Sequence, residues 1–239
     1  MKNVEREFDE FSASYEDLLQ DPLRQRFSGG SSEFFHLRKR DLIREYFRTR
    51  KLDTKTLGYL DLGCGRGELI SLLRDDFGHA AGCDPSAGMM EAGHLRSKGI
   101  ETRLQDDPLR IPFASGQFDF VTAVCVYHHV NPSDRAALTV EARRVLRPGG
   151  MFAIIEHNPY NPATQWIVRQ TPVDANAVLL ASREARQLVR DAGFRIEDQR
   201  YFLYLPESFY KKVGRLESML HKLPLGGQYA VFARASERQ

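Results

Sequence analysis

The run from Tyr59 to Glu68 constrains the fold more than any other part of the chain. Four residues, Tyr59 to Leu62, read as a short apolar strand carrying one carboxylate, Asp61. Three glycines at alternate positions follow, Gly63, Gly65 and Gly67, and then a helical pattern opens at Glu68. Bare backbone at a strand-to-helix turn lets a ligand press against main-chain amides at a helix N-terminus. The spacing Gly-x-Gly-x-Gly differs from the Gly-x-Gly-x-x-Gly of dinucleotide-binding turns, which weighs against a nicotinamide enzyme.

From residue 57 onwards the chain alternates between two periods. Strands are expected at 57–62, 79–83, 100–104, 118–126, 151–155, 195–205 and 228–235. Helices are expected at 68–77, 86–98, 133–146, 182–192 and 206–222. The fourth strand is apolar on both faces, as a central parallel strand must be. Gly78, Gly99 and Pro148-Gly149-Gly150 punctuate the helix ends. Such alternation implies right-handed crossovers and a mostly parallel sheet covered on both faces. Residues 1–50 read as helical, broken near Gly29 and Gly30, with Leu42, Ile43, Tyr46 and Phe47 on one face and basic residues around it.

In such a sheet a ligand sits beyond the C-terminal strand ends, where strand order reverses. Those ends carry Asp61, Asp84, the pair Asp106 and Asp107, and the run Cys125 to Val130 with His128 and His129. The fifth strand is followed by Glu156, His157, Asn158, Pro159 and Tyr160. Three cysteines, Cys64, Cys83 and Cys125, lie far apart without metal or redox spacing and read as small buried hydrophobes. Two adjacent histidines with no third ligand give no metal site. The 239 residues are 42% hydrophobic and 28% charged with a net charge of +2, which leaves nucleic acid neither required nor excluded. The charged opening, Met1 to Phe8, is no secretory signal, and a reducing, cytoplasmic setting is expected.

In order and spacing these strand ends resemble the class I S-adenosylmethionine-dependent methyltransferases of small-molecule type, most closely over residues 57–158. The resemblance implies a Rossmann-like three-layer α/β/α sandwich with a seven-stranded, mostly parallel sheet, an antiparallel last strand and an N-terminal helical lid. It treats 1–239 as one domain, with a lid at 1–50, a cofactor core at 57–158 and substrate-side elements at 159–239. It implies that Gly63, Cys64 and Gly65 approach the methionine part of the cofactor and that Asp61 holds its ammonium. Asp84, with Pro85, grips the ribose, Asp107 or Asp106 takes the adenine, and the Cys125 backbone lines the sulfonium. Pro108 departs from the pattern because it has no N–H to offer adenine. Phe8 to Tyr15 resembles the family's lid segment, with Tyr15 over the cofactor, and Arg38 stands where a basic residue meets the cofactor carboxylate.

The expected reaction is methyl transfer to a small-molecule or lipid-like acceptor. Oxygen is favoured because His128, His129 and His157 supply bases. S-adenosylhomocysteine would be the product, and no nucleic-acid partner is expected. The alternatives are an RNA or protein methyltransferase and a non-catalytic domain that only binds the cofactor. The stretch 207–223 places Phe209, Val213, Leu216, Met219, Leu220 and Leu223 on one helical face among lysines. It reads as packing on its own domain, as a cover over an apolar pocket, or as peripheral contact with a membrane. The oligomeric state is not legible.

Overall fold

The computed structural model describes residues 9, 12, 18, 22–28 and 32–236. Helices α1 (Pro22–Ser28) and α2 (Glu33–Thr49) precede β1 (Gly58–Leu62). The units α3 (Glu68–Leu73), β2 (His79–Asp84), α4 (Ala87–Ala92) and β3 (Glu101–Leu104) follow. The chain continues through β4 (Phe118–Val124), α5 (Arg135–Val145) and β5 (Leu146–His157). Then come α6 (Pro162–Gln170), α7 (Ser182–Asp191), β6 (Phe194–Phe202), α8 (Glu207–Leu220) and β7 (Gln228–Ala235).

Seven strands form one sheet in the order β3-β2-β1-β4-β5-β7-β6. Pairings from β3 through β5 are parallel, while β7 runs antiparallel to both β5 and β6. Strand order reverses between β1 and β4, so the crevice opens beside Leu62 and Val124. Alternation along each central strand serves two cores at once. Leu60, Val121 and Phe152 point to the face closed by Leu138, Ala142 and Val189. Their neighbours Tyr59, Phe120 and Ala153 point to the face closed by Ile43, Phe47 and Ile70. The helix α2 is thus a layer of the sandwich: Tyr46 stacks on Phe232 of β7 with ring centroids 4.2 Å apart.

Three elements depart from the sequence expectation, each for a local reason. The helix expected over 86–98 stops at Ala92 and resumes only as a 3₁₀ turn at Arg96–Lys98; between them only glycine fits at 93, because a Cβ there would lie 2.0 Å from the Arg66 carbonyl oxygen. The fifth strand begins at Leu146 rather than at 151, passing through Gly149 at φ +74° before entering the sheet proper. Helix α6 was not expected; Asn161 caps it by accepting from the Thr164 N–H at 2.9 Å, and Pro162 occupies its first turn.

Helix α8 is fastened by its polar side. Glu217 is buried, accepting from Arg38 at 2.6 Å and from the Tyr204 N–H at 2.7 Å. Phe209, Val213, Met219 and Leu223 are left exposed, and the helix is kinked at Val213. Among the described residues no helix is long and apolar enough to cross a membrane.

Candidate active site

A cavity of about 1070 Å³ opens at the strand-order reversal. Drug-sized ligands occupy pockets of about 300–1,000 Å³, so this one has room for a nucleoside-sized ligand and a second molecule beside it. Asp61, Gly63, Cys64, Gly65, Asp84, Pro85, Asp106, Asp107, Cys125, His128, His129 and His157 all line it. Arg38 does not. It pairs with Glu217 and lies 3.7 Å over the Tyr210 ring, pinning α8 to α2. Its neighbour Lys39, buried at 5% exposure, lines the cavity instead, as does Arg66 beside the glycine turn. Tyr15 lies outside the described residues. From the segment containing it, Asp9 accepts from Ser86 Oγ at 2.6 Å and from the Gly88 N–H at 3.0 Å, beside the end of β2.

The glycine turn is held open by its own geometry. Gly63 has φ +69°, and a Cβ there would fall 2.5 Å from Val126 Cγ2. Its N–H and that of Cys64 both donate to the Cys83 carbonyl, at 2.8 and 3.0 Å, tying the loop to β2. Asp84 braces the same loop: Oδ2 accepts from the Gly65 N–H at 2.7 Å and Oδ1 from the Ser86 N–H at 2.9 Å. Each oxygen keeps a second lone pair for a ligand. At the adenine end, Asp107 accepts from the Leu109 N–H at 2.9 Å and Pro108 turns its carbonyl to Gln105 Nε2 at 2.9 Å.

Burial shapes the titration of this wall. It pushes the Asp61 carboxyl up to about 7, against a hydrogen bond from Thr122 at 2.7 Å. Burial likewise pushes Asp84 up to about 6, with the Ser86 and Gly65 amides opposing. Both carboxyls hold protons in the folded state that the unfolded chain releases near pH ~4. In the unliganded protein the stabilising contribution of these two carboxyls is therefore lost as pH rises from ~4 towards ~7, opposite in sign to that of the lowered carboxylates such as Glu156 and Asp174. A ligand ammonium on Asp61 needs the ionised form, so binding releases a proton. S-adenosylmethionine affinity is expected to fall as pH drops below about 7, by up to roughly tenfold per unit. Calorimetric titrations in buffers of different ionisation enthalpy would read that proton. An affinity that is flat or rises towards low pH would remove Asp61 from the ammonium site.

Beyond the glycine turn the wall is built from imidazoles. Cys125 follows β4 at φ +57°, a strained conformation for a residue with a side chain. Its Sγ lies 3.9 Å from Lys39 Nζ and 3.6 Å from Gln228 Nε2. Burial opposes ionisation of the thiol, but Lys39 and then His157 outweigh it and bring it down to about 7. This cysteine is therefore no inert hydrophobe, unlike Cys83, whose thiol burial pushes far up. Glu156, fully buried, accepts from the Tyr127 N–H at 2.7 Å and from His128 Nδ1 at 2.6 Å. His128 Nε2 faces Asp174 at 3.4 Å, and His129 Nε2 reaches the same carboxylate oxygen at 3.5 Å. Burial would discharge His128, but Glu156 and then Asp174 hold it charged, well above the ordinary histidine range. Burial and the neighbouring His128 charge drive His129 down to about 3.

Sequence reasoning missed Lys39, Gln228 and Asp174. Lys39 sits in a basic run that resembles a solvated face, and Asp174 closes a 3₁₀ turn, Pro172–Asp174, with no motif around it. The histidine pair also has neighbours that the sequence reading did not foresee. One donor atom each from His128, His157 and Asp174 lies within 4.8 Å of the others. Asn158, by contrast, is structural: its Nδ2 donates to the Pro224 and Gly226 carbonyls at 2.9 and 2.8 Å.

Residues 60–154 match the Methyltransferase domain family. Over 105 residues the chain is 36% identical to a demethylmenaquinone methyltransferase of Beutenbergia cavernae, covering 43% of this chain and 42% of that protein. Over 95 residues it is 35% identical to a protein of Bos taurus named probable tRNA methyltransferase 9B, covering 39% of this chain and 20% of that one. The matched part is thus less than half the length of either relative. A solved structure from Thermotoga maritima, described as a SAM-dependent methyltransferase and possible histamine N-methyltransferase, superposes with a TM-score of 0.67 at 18% identity, covering 97% of this chain and 99% of that one. Residues 60–154 thus match a methyltransferase domain, and the sheet order and glycine turn around them are those of the class I methyltransferase fold, whose methyl-donating cofactor is S-adenosylmethionine.

Proposed function

We propose that this protein transfers the methyl group of S-adenosylmethionine to a small or lipid-like acceptor. The observation that carries the reading is a single cavity that joins the glycine turn and Asp84 to a wall of three imidazoles. The cofactor would lie along Asp61, Gly63, Gly65 and Asp84, with its adenine towards Asp106 and Asp107 and its sulfonium towards Cys125. Lys39 would meet the cofactor carboxylate. Transfer is an in-line displacement. The acceptor's lone pair bonds to the methyl carbon, and the carbon–sulfur bond breaks onto sulfur, leaving S-adenosylhomocysteine. Positioning in a closed pocket supplies most of the acceleration.

Oxygen remains the favoured acceptor atom, with the three histidines in unequal roles. His128, charged and held between two carboxylates, is a positioning residue. His129 is too weak a base to keep a proton near neutral pH. His157 is left to take the proton of an acceptor hydroxyl. A quinol-like acceptor suits the apolar walls of Phe35, Val126, Val130 and Ile167, and the named quinone-modifying relative points the same way. The exposed apolar side of α8, beside Lys211, Lys212 and Lys222, would let the enzyme touch an anionic membrane that stores such a substrate. A reducing, cytoplasmic compartment suits the three free thiols.

The test is release of S-adenosylhomocysteine with short-chain naphthoquinols and phenols, and with bulk tRNA as the opposing arm. Turnover with the hydroxylated aromatics, lost in His157→Ala, supports the reading. Turnover with tRNA alone favours the second reading, an RNA methyltransferase, which the bovine relative's name suggests.

A further inference from the structure

We infer that His128, His157 and Asp174 form a binding site for a divalent transition-metal ion of the zinc type, at the acceptor end of the cavity. The three side chains come from separate places: the loop after β4, the end of β5 and the 3₁₀ turn after α6. They nevertheless bring one donor atom each within 4.8 Å of the others. Ligand atoms held about 2.1 Å from one ion are separated by roughly 3.0–3.4 Å in octahedral or tetrahedral arrangements. The His128 Nε2 to Asp174 Oδ1 separation, 3.4 Å, already has that value. His129 Nε2, 3.5 Å from the same oxygen, stands ready as a fourth donor.

The support behind the ligands has the form that metal sites use. A ligating histidine is commonly oriented by a carboxylate on its other ring nitrogen, which fixes the tautomer and aims the free nitrogen at the ion. Glu156 Oε2 does this to His128 Nδ1 at 2.6 Å, and Glu156 is itself held by the Tyr127 N–H. Charge agrees as well. Two carboxylates, Glu156 and Asp174, lie buried against neutralisable imidazoles, so a dication would balance the cluster. It would take the place of the proton shared between His128 and Asp174. Two imidazoles and one carboxylate, with the remaining positions facing an open cavity, suit a borderline ion such as Zn²⁺, Co²⁺ or Fe²⁺.

Binding of the ion is independent of the methyl-transfer reading; only its use rests on that reading. On a bound hydroxyl the ion would lower the oxygen's pKa, and the proton would leave to water as the acceptor docks. His157 would then be a ligand and not a base, and the oxygen lone pair would attack the methyl as before.

The test uses the full chain, stripped with chelator and titrated with Co²⁺ under visible absorbance, then with Zn²⁺ in competition. One Co²⁺ per chain, displaced by Zn²⁺, is expected. Asp174→Asn and His157→Gln should each weaken it at least tenfold while S-adenosylhomocysteine still binds, which certifies their fold. No Co²⁺ or Zn²⁺ uptake by the wild-type chain, or uptake unchanged in both variants, overturns the site and leaves a hydrogen-bonded cluster. Co²⁺ uptake that depends on Asp174, in a chain that binds no S-adenosylhomocysteine, would uphold the metal site while the methyl-transfer reading fell.

Discussion

Asp84→Ala is expected to weaken S-adenosylmethionine binding by about 100-fold, or about 2.7 kcal/mol. The carboxylate has two jobs. Its oxygens accept the Gly65 and Ser86 amides, at 2.7 and 2.9 Å, and so hold the glycine loop against the end of β2. Their remaining lone pairs face the cavity, where a ribose would donate both hydroxyls. A hydrogen bond to a charged group contributes about 1.5–3 kcal/mol, so losing two such bonds and loosening the loop gives at least the stated effect. Asp84→Asn should fall between the wild type and Asp84→Ala, because its NH₂ must face one of the two amide donors. Calorimetric titration reads both variants. A loss under fivefold in Asp84→Ala would mean that the ribose is held elsewhere.

Glu156→Ala is expected to cost about 3–5 kcal/mol of stability, the usual consequence of leaving a buried charge without its partner. Glu156 is fully buried and receives the Tyr127 N–H and the His128 ring. Truncation strands these donors and the His157 N–H, 3.3 Å from Oε2, and leaves the His128 charge facing Asp174 alone. For a chain of this size the melting temperature should drop on the order of 10 °C. Glu156→Gln should cost less. Its amide oxygen can still accept from Tyr127, while its NH₂ donates to a neutral His128 whose other nitrogen keeps a hydrogen for Asp174. Thermal melts of the two variants decide this: losses as large in Glu156→Gln as in Glu156→Ala would show that the hydrogen bonds kept by glutamine do not replace the charge pair.

The parts of this molecule that local sequence dictates were legible without coordinates. Short apolar runs, one carrying Asp61 and one ending at Asp84, announce strands whose ends bear acids, and Gly63 to Gly67 announces the turn between them. The burial of Leu42, Ile43, Tyr46 and Phe47 follows from helical patterning, and the antiparallel last strand is as the family resemblance implied. What was not legible depends on contacts across the chain. Whether Arg38 or Lys39 faces the cavity is decided by Glu217, about 180 residues away on α8. That the apolar side of α8 is left bare follows from the burial of Glu217, which no helical wheel reveals. Asp174 joins the histidines only because Pro162–Gln170 folds as a helix and carries the chain back over β4.

Titration of the wild-type protein with S-adenosylmethionine and S-adenosylhomocysteine is the most direct test. One site per chain with micromolar dissociation constants for both ligands is predicted. The heat should reveal proton release below about pH 7, as the raised Asp61 requires. No heat with either ligand would contradict the account, because the glycine turn, Asp61 and Asp84 would then line a cavity built for something else.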